Sequence, residues 1–263
     1  MTDGVILFDK PAGVTSHDVV ARVRRELGRG VKTGHAGTLD PFATGLLLLL
    51  VGRATRAQRF VMALPKRYEV VARFGATSTT GDRDGEIRDT GVVPDGDLAL
   101  PTGTLSQRPP SYSAVHVDGE RAYARARRGE EVVIPEREVH VERFEEAWRD
   151  GDRRGFVVEC GSGTYVRSLI ADLGDAYCEE LRRTAIGPFD VADADAQHVV
   201  PLSDALAFLP EQRLDAEEGR RAGHGVAVEG VAAGPVRLTD PDGLVAIAEP
   251  NGGSLKPTVG FRG

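Results

Sequence analysis

The sequence predicts an α+β fold: a mixed central β-sheet with flanking helices, followed by a small β-rich unit at the C-terminal end. Three observations predict it. Strand-period and helix-period stretches alternate irregularly, without the βαβ rhythm of a doubly wound sheet. Composition shifts near Pro201, beyond which short apolar runs are split by Gly, Asp and Pro turns. A chain of 263 residues, 41% hydrophobic and 28% charged, is long enough to bury one large core and a small second one.

Residues 5–8 read as a strand and 9–13 as a turn. Ser16 is placed as the cap of a helix, with Asp18 in its first turn and Val19, Val20, Val23 and Leu27 on one face. Arg24 and Arg25 suit its C-terminal end, and Gly28 stops it. The apolar run 46–51 reads as a buried strand closed by Gly52, and 55–64 as a short helix. Tyr68, Val70, Ala72 and Phe74 alternate with Glu69, Val71 and Arg73 at a strand period. The Gly/Asp/Thr-rich stretch 77–93 reads as an exposed loop, 123–128 as helical, and 139–141 and 156–160 as strands. Gly161-Ser162-Gly163-Thr164 is a turn into a helix whose apolar stripe is Val166, Leu169, Ile170 and Leu173. Residues 204–209 read as a short helix, and 236–238, 244–248 and 258–261 as strands of the C-terminal unit. The domains are therefore expected at 1–205 and 206–263.

Net charge is −7 and the pI near 5.5, which argues against nucleic acid, yet the charge is uneven. Arg22, Arg24, Arg25, Arg29, Lys32, Arg53, Arg56, Arg59, Lys66, Arg67 and Arg73 are opposed in their stretch only by Glu26, Asp40 and Glu69. A second basic set is Arg108, Arg121, Arg125, Arg127 and Arg128, while acidic residues gather in 82–97, in 136–152 and toward the C-terminal end. One basic face on an acidic protein is the pattern of a nucleic-acid binder, although a set of solvated helix faces gives the same counts. The longest apolar run is far too short to span a bilayer, and Asp3 and Asp9 flank the first one, so no signal segment is expected and the cytoplasm is the expected location. Cys160 and Cys178 are expected to be reduced thiols.

The run Gly34-His35-Ala36-Gly37-Thr38-Leu39-Asp40-Pro41-Phe42-Ala43-Thr44-Gly45 holds one carboxylate in a loop of glycines, small residues and a proline. Glycine lets the backbone turn where other residues clash, and Pro41 pushes Asp40 away from the α region. A carboxylate fixed in an irregular loop suits a nucleophile, though an isolated loop aspartate is most often a turn former. Rival chemistries lack their residues. His17, His35, His116, His140, His198 and His224 are scattered, so no metal-ligand cluster is expected. Gly30-Val31-Lys32-Thr33 lacks the adjacent Gly-Lys of a P-loop, and no second acid joins Asp40 as a carboxylate-pair glycosidase needs.

Six ordered segments resemble the bacterial tRNA pseudouridine synthase B family, over most of residues 1–200. The Asp40 loop resembles its catalytic loop, and Asp9-Lys10-Pro11-Ala12-Gly13-Val14-Thr15-Ser16 its N-terminal motif. Lys66-Arg67-Tyr68 is similar to the strand that supplies a pocket tyrosine. Arg108-Pro109-Pro110-Ser111-Tyr112-Ser113-Ala114-Val115 resembles the start of an RNA-gripping insertion near 105–135. Gly163-Thr164-Tyr165-Val166-Arg167 is similar to the motif of the pocket arginine, and Leu181-Arg182-Arg183 to the last motif. The stretch between Arg167 and Leu181 is shorter than the family pattern.

The resemblance implies a pseudouridine-synthase-like catalytic domain and a PUA-like C-terminal domain. It implies isomerisation of the uridine at position 55 in the T loop of tRNA, with an additional role in tRNA folding. A non-catalytic RNA-binding protein that helps tRNA fold is the other reading. Asp40, Arg167 and Tyr68 are the implied catalytic residues; His35, Tyr165, Leu181, Lys10, Arg108 and Tyr112 are the implied substrate-binding set. The reaction breaks an N1–C1′ bond and makes a C5–C1′ bond without redox change, so no cofactor and no metal are expected. The expected partner is the tRNA T-arm, with no guide RNA and no membrane, and the chain is expected to be a monomer. An ionised carboxylate adding to the uracil ring or to the sugar carbon splits one hard step into easier ones. In a dry pocket it needs a cation to hold its pKa down, and Arg167 is that candidate. A target inside folded RNA must leave its stack, and stacking on Tyr68 offsets part of that cost. All the motifs lie upstream of the C-terminal unit, so that unit is expected to aid RNA binding rather than chemistry.

Overall fold

The computed structural model describes residues 3–28, 30–110, 116–117, 120–121, 125, 128, 130 and 134–262. In chain order the strands are β1 Gly4–Lys10, β2 Thr33–Ala36, β3 Thr44–Val51, β4 Lys66–Phe74, β5 Ala76–Ser78, β6 Ile87–Asp89, β7 Gly103–Gln107, β8 His116–Val117, β9 Glu120–Arg121, β10 Arg137–Asp150, β11 Arg153–Cys160, β12 Ala176–Ile186, β13 Phe189–Asp190 and β14 Val200–Pro201, with β15 Glu211–Arg213, β16 Val228–Glu229, β17 Val236–Asp240, β18 Gly243–Asn251 and β19 Ser254–Gly260 in the C-terminal part. The helices are α1 Ser16–Leu27, α2 Gln58–Ala63, α3 Val166–Ala171, α4 Leu202–Ala205 and α5 Ala216–Gly223. The fold is α+β, with few helices around a central mixed sheet of ten strands. Its order is β14-β1-β3-β12-β4-β11-β10-β7, with β2 added to β3 and β13 to β12. The β3–β12 pair is parallel and every other pair in this sheet is antiparallel.

Strands β1 and β3 are buried on both faces, which is why they read as continuous apolar runs. Val5, Leu7, Leu46, Leu48 and Leu50 face one core, and Ile6, Phe8, Leu47 and Leu49 face another with Val19 and Val23 of α1. Strand β4 alternates as expected: Tyr68, Val70, Ala72 and Phe74 join Phe156, Val158 and Leu181 in a third core, against Val166, Leu169 and Ile170 of α3.

The structure revises several elements. Thr15, not Ser16, caps α1, through a capping box with Asp18. The 55–64 helix is a 3₁₀ segment, Gly52–Ala57, followed by α2. The 77–93 loop contains the β5–β6 hairpin and a buried aspartate, Asp82. Strand β10 is far longer than 139–141, and bulges shift its register between Val141/Arg143 and Glu146/Trp148. A bulge breaks the period of two and charged residues occupy its open face, so only its apolar start was visible. Leu173 lies beyond the end of α3, and the helix expected at 204–209 is the shorter α4. Most of 123–128 lies outside the described residues.

The C-terminal part forms a five-stranded sheet, β15-β17-β18-β19-β16, with α5 packed on it. Ile247 and Phe261 enter the same core as Leu46, Leu48 and Leu50. Around that contact Arg56 donates to Gly260 O at 2.8 Å, Arg59 pairs with Glu249 at 2.7 Å, and Arg53 reaches Phe261 O. Three arginines of the expected basic face are therefore engaged within the fold, and Lys66 of the same set is buried.

Candidate active site

The Asp40 loop joins β2 to β3 and is anchored from several sides. Ser16 accepts from Leu39 N at 2.9 Å and donates to Leu39 O at 3.1 Å, which explains why it is buried rather than capping. Gly13 N donates to Pro41 O at 2.8 Å. Lys10 donates to the carbonyls of Pro11, Val14 and Pro41 at 2.8, 2.9 and 3.3 Å. Arg183 reaches across from β12 to Gly37 O at 3.0 Å and Leu46 O at 2.8 Å. Where the loop meets β3, Gly45 has φ +102°, and a Cβ there would lie 2.2 Å from Arg183 O. Only glycine fits that junction.

This anchoring aims Asp40 into a cavity of about 340 Å³, walled by Tyr68, Tyr165, Arg167, Leu181 and Arg183. Arg167 Nε lies 2.9 Å from Asp40 Oδ2, and Arg167 Nη1 lies 3.1 Å from Asp82 Oδ2 and donates to Thr80 O at 2.6 Å. The arginine side chain is 3% exposed, whereas the Asp40 side chain keeps 32% exposure. Asp82 is fixed in turn by Thr80 Oγ1 at 2.6 Å and Asp84 N at 3.1 Å. Burial pushes the Asp40 carboxyl above its ordinary value; Arg167 and Lys10 pull it down, and Asp82 pushes it up. Sequence reasoning expected Arg167 to hold this pKa down, but the cation only offsets a larger burial cost.

Tyr68 is buried at the cavity wall, where desolvation raises its phenol pKa while a hydrogen bond and the charge of Arg183 oppose the rise. Beneath it Lys66 donates to Met62 O and Leu64 O, and burial lowers its ammonium to about 8. The Arg137 guanidinium lies over the Tyr165 ring, 5.1 Å from its centre. Leu181 pairs with Val70 in register, which sets it on the cavity wall despite the shortened connection before it.

Asp40, Tyr68, Tyr165, Arg167 and Leu181 thus meet in one cavity. Other expected site residues lie elsewhere. Lys10 is 0% exposed and donates its ammonium to three carbonyls, so it holds the loop. His35 sits in β2 outside the cavity, edge-on to His17 at 5.4 Å. Arg108 is exposed and pairs with Glu136 at 3.1 Å. Tyr112 lies outside the described residues. Asp82, Arg183 and Arg137 were missed as site residues. Asp82 is a second acid on the guanidinium that pairs with Asp40; it lies outside the motif segments, and its only sequence signal was a Gly-Asp-Arg-Asp-Gly turn. Among the described residues no group of three or more His, Cys, Asp and Glu could hold a metal ion.

A fixed carboxylate facing a small, partly polar cavity, backed by a buried guanidinium, can act as a nucleophile toward a planar group stacked on a tyrosine. Residues 24–166 match the family described as TruB family pseudouridylate synthase (N terminal domain). A tRNA pseudouridine synthase B from Thermobifida fusca (strain YX) is 44% identical over 297 residues, covering 100% of each chain. One from Nocardia farcinica (strain IFM 10152) is 46% identical over 237 residues, covering 83% of this chain and 74% of its own. In fold, the chain is similar to one in the crystal structure of a Cbf5-Nop10-Gar1 complex, with TM-score 0.69 and 27% identity over 94% of this chain and 78% of that one. It is also similar to one in the archaeal box H/ACA sRNP Nop10-Cbf5 complex, with TM-score 0.72 and 24% identity over 98% of this chain and 86% of that one. By its sequence over its whole length, this chain belongs to the TruB family of pseudouridylate synthases.

Proposed function

We propose that this chain isomerises uridine to pseudouridine at position 55 in the T loop of tRNA, without guide RNA or cofactor, as a monomer in the cytoplasm. Its relatives are named for tRNA, and the cavity has the scale of a site for one extruded base, since small-molecule pockets run from about 300 to 1,000 Å³. The observation that carries the reading is the Asp40 carboxylate, 2.9 Å from a buried guanidinium yet still open to the cavity.

The nucleotide flips out of the T loop and its base enters the cavity against Tyr68. Asp40 adds to the uracil ring or to C1′, and the N1–C1′ bond breaks. The freed base turns and C5 bonds to C1′. If Asp40 holds C1′, its bond breaks as the C5–C1′ bond forms, and if it holds the ring, that bond breaks afterwards; C5 then gives up its proton, with the Tyr68 hydroxyl helping to move it, and N1 gains one. Base entry displaces water from Asp40 and adds to its burial cost, so Arg167 supplies the charge that keeps the carboxylate ionised. Asp82 and Thr80 O orient that guanidinium. Tyr165 and Leu181 bound the base.

In this reading residues 1–205 are the catalytic domain, with an RNA-gripping insertion near 105–135 carrying Arg108 and Tyr112. Residues 206–263 are a PUA-like unit, a reading supported by their five-stranded sheet. The insertion and exposed arginines hold phosphates, and the RNA is recognised by shape. The test is conversion of a bare T-arm transcript by the purified chain alone. Pseudouridine at position 55 is expected, and a folded chain that leaves that uridine unchanged overturns the proposal.

A further inference from the structure

The turn that opens α3 is gripped by one rung of the sheet. Gln107 and Arg137 are direct register partners at the end of the β7–β10 pair. Opposed residues of an antiparallel pair carry their side chains on the same face. Both of these reach the same short segment. Gln107 Oε1 accepts from Tyr165 N at 2.8 Å, and Gln107 Nε2 donates to Tyr165 O at 3.0 Å. Arg137 donates to Gly163 O and covers the Tyr165 ring. From inside α3, Ser168 Oγ donates to Arg108 O at 3.1 Å, beside Gln107.

Helix α3 needs such support. It has six residues, too few to hold themselves in water. Its first residue is preceded by Tyr165, which makes no side-chain cap. Arg167 sits in its first turn and must present Nε to Asp40. A small drift of that turn would move the guanidinium off the carboxylate. Gln107 is 3% exposed and does not line the cavity, so it has no direct access to a substrate there.

We propose that Gln107 is a positioning residue for the reaction: its amide fixes the backbone of Tyr165 and thereby seats Arg167 against Asp40. The inference rests on the assignment of Asp40 and Arg167 made above. Glutamine suits the task because one amide offers a donor and an acceptor side by side, matching the N–H and C=O of a single residue. Glutamate keeps the acceptor only, and methionine fills the space with neither.

A merely structural residue and a positioning residue differ in what they do to Asp40. Arg167 and Lys10 pull the Asp40 carboxyl down, against burial and Asp82. Once Arg167 drifts, the upward influences that already prevail are opposed less, and the acid limb of the pH–rate profile moves to higher pH.

Gln107→Met, Gln107→Glu and Asp40→Asn are compared with the parent in T-arm RNA affinity, melting and single-turnover conversion across pH. For Gln107→Met, conversion at saturating RNA is expected to fall about tenfold to a hundredfold, with affinity within about threefold of the parent. Its acid limb is expected at higher pH, and Gln107→Glu is expected to fall between. If Gln107→Met does not fold, Gln107→Glu carries the test with the same signs. Conversion within about threefold of the parent and an unmoved acid limb would overturn the proposal. So would a loss of binding and conversion that only tracks a loss of folded protein. Asp40→Asn separates the two readings: if it still converts, the nucleophile assignment fails; if it is inactive while both Gln107 variants behave as the parent, only the positioning role fails.

Discussion

Arg167 is the residue on which the site turns, because it faces two carboxylates and only one of them is open to the cavity. Replacing it by leucine leaves Asp40 and Asp82 side by side without their cation. Breaking a buried pair in this way costs about 3–5 kcal/mol, so Arg167→Leu is expected to lose nearly all turnover, read as single-turnover conversion in a variant shown to be folded. Near-normal conversion would mean that Asp40 does not need it. Asp40→Asn should abolish conversion while RNA binding, measured by gel shift on the same preparation, survives. Its stability carries a sign of its own. A carboxyl whose pKa is raised by folding favours the fold at low pH, and that advantage is lost as pH rises through the raised value. At neutral pH the ionised Asp40 is therefore a cost, and Asp40→Asn is expected to melt no lower than the parent. An unmistakably lower melting temperature would make Asp40 a structural member of its loop. Asp40, Tyr68, Tyr165 and Arg167 could be found in the sequence because each lies inside a short contiguous motif. Asp82 could not be assigned to the site, because its partner Arg167 comes from a distant helix and its own neighbours read as an exposed loop; Arg183 lay in the last motif, but its hold on Gly37 O and Leu46 O comes from distant segments of the chain.

At the scale of elements, the segment from the 3₁₀ turn through α2 links the two sheets, and its arginines face the C-terminal one. Arg59 spends its guanidinium on Glu249 and on Thr258 Oγ1 at 3.1 Å, whereas Arg108 projects from the end of β7 with a partner exposed to water. The two should separate in salt. Arg108→Ala is expected to flatten the slope of log affinity for tRNA against log salt by about 0.7–0.9, the share of one phosphate contact. Arg59→Ala is expected to leave that slope unchanged and to lower the melting temperature slightly, as exposed pairs are worth about 0–1 kcal/mol. Equal slopes for Arg108→Ala and the parent would remove Arg108 from the RNA surface. Charge counting along the chain could not make this distinction, because it sees the arginines but not the carbonyls and carboxylates that later strands bring to them. The same blindness hid much of β12: its Glu179, Glu180, Arg182 and Arg183 interrupt the apolar period, and two bulges shift its pairing with β4.

Across the whole molecule, the boundary near residue 205 carries the most consequence. All the motifs lie before it, which suggested that the later residues could be removed with the chemistry intact. Yet Ile247 and Phe261 are buried with Leu46, Leu48 and Leu50 of β3, the strand that follows directly from the Asp40 loop. Composition marked the change of character at the boundary but carried no information about which apolar residues on either side would share a core. If the two sheets are one cooperative unit, heat should unfold the chain in a single transition with equal calorimetric and van't Hoff enthalpies. Phe261→Ala probes the contact without shortening the chain. It empties a buried site, at a cost of about 3–5 kcal/mol for a large aromatic, and should lower that single transition as a whole. Removing residues 210–263 should do more: the faces of Leu46, Leu48 and Leu50 lose their cover, and the remaining fragment should bind apolar dye and lose conversion even at saturating RNA. Two separate transitions in the parent, with Phe261→Ala moving only one of them, would instead make the C-terminal sheet an independent domain and would restore the expectation that catalysis survives its removal.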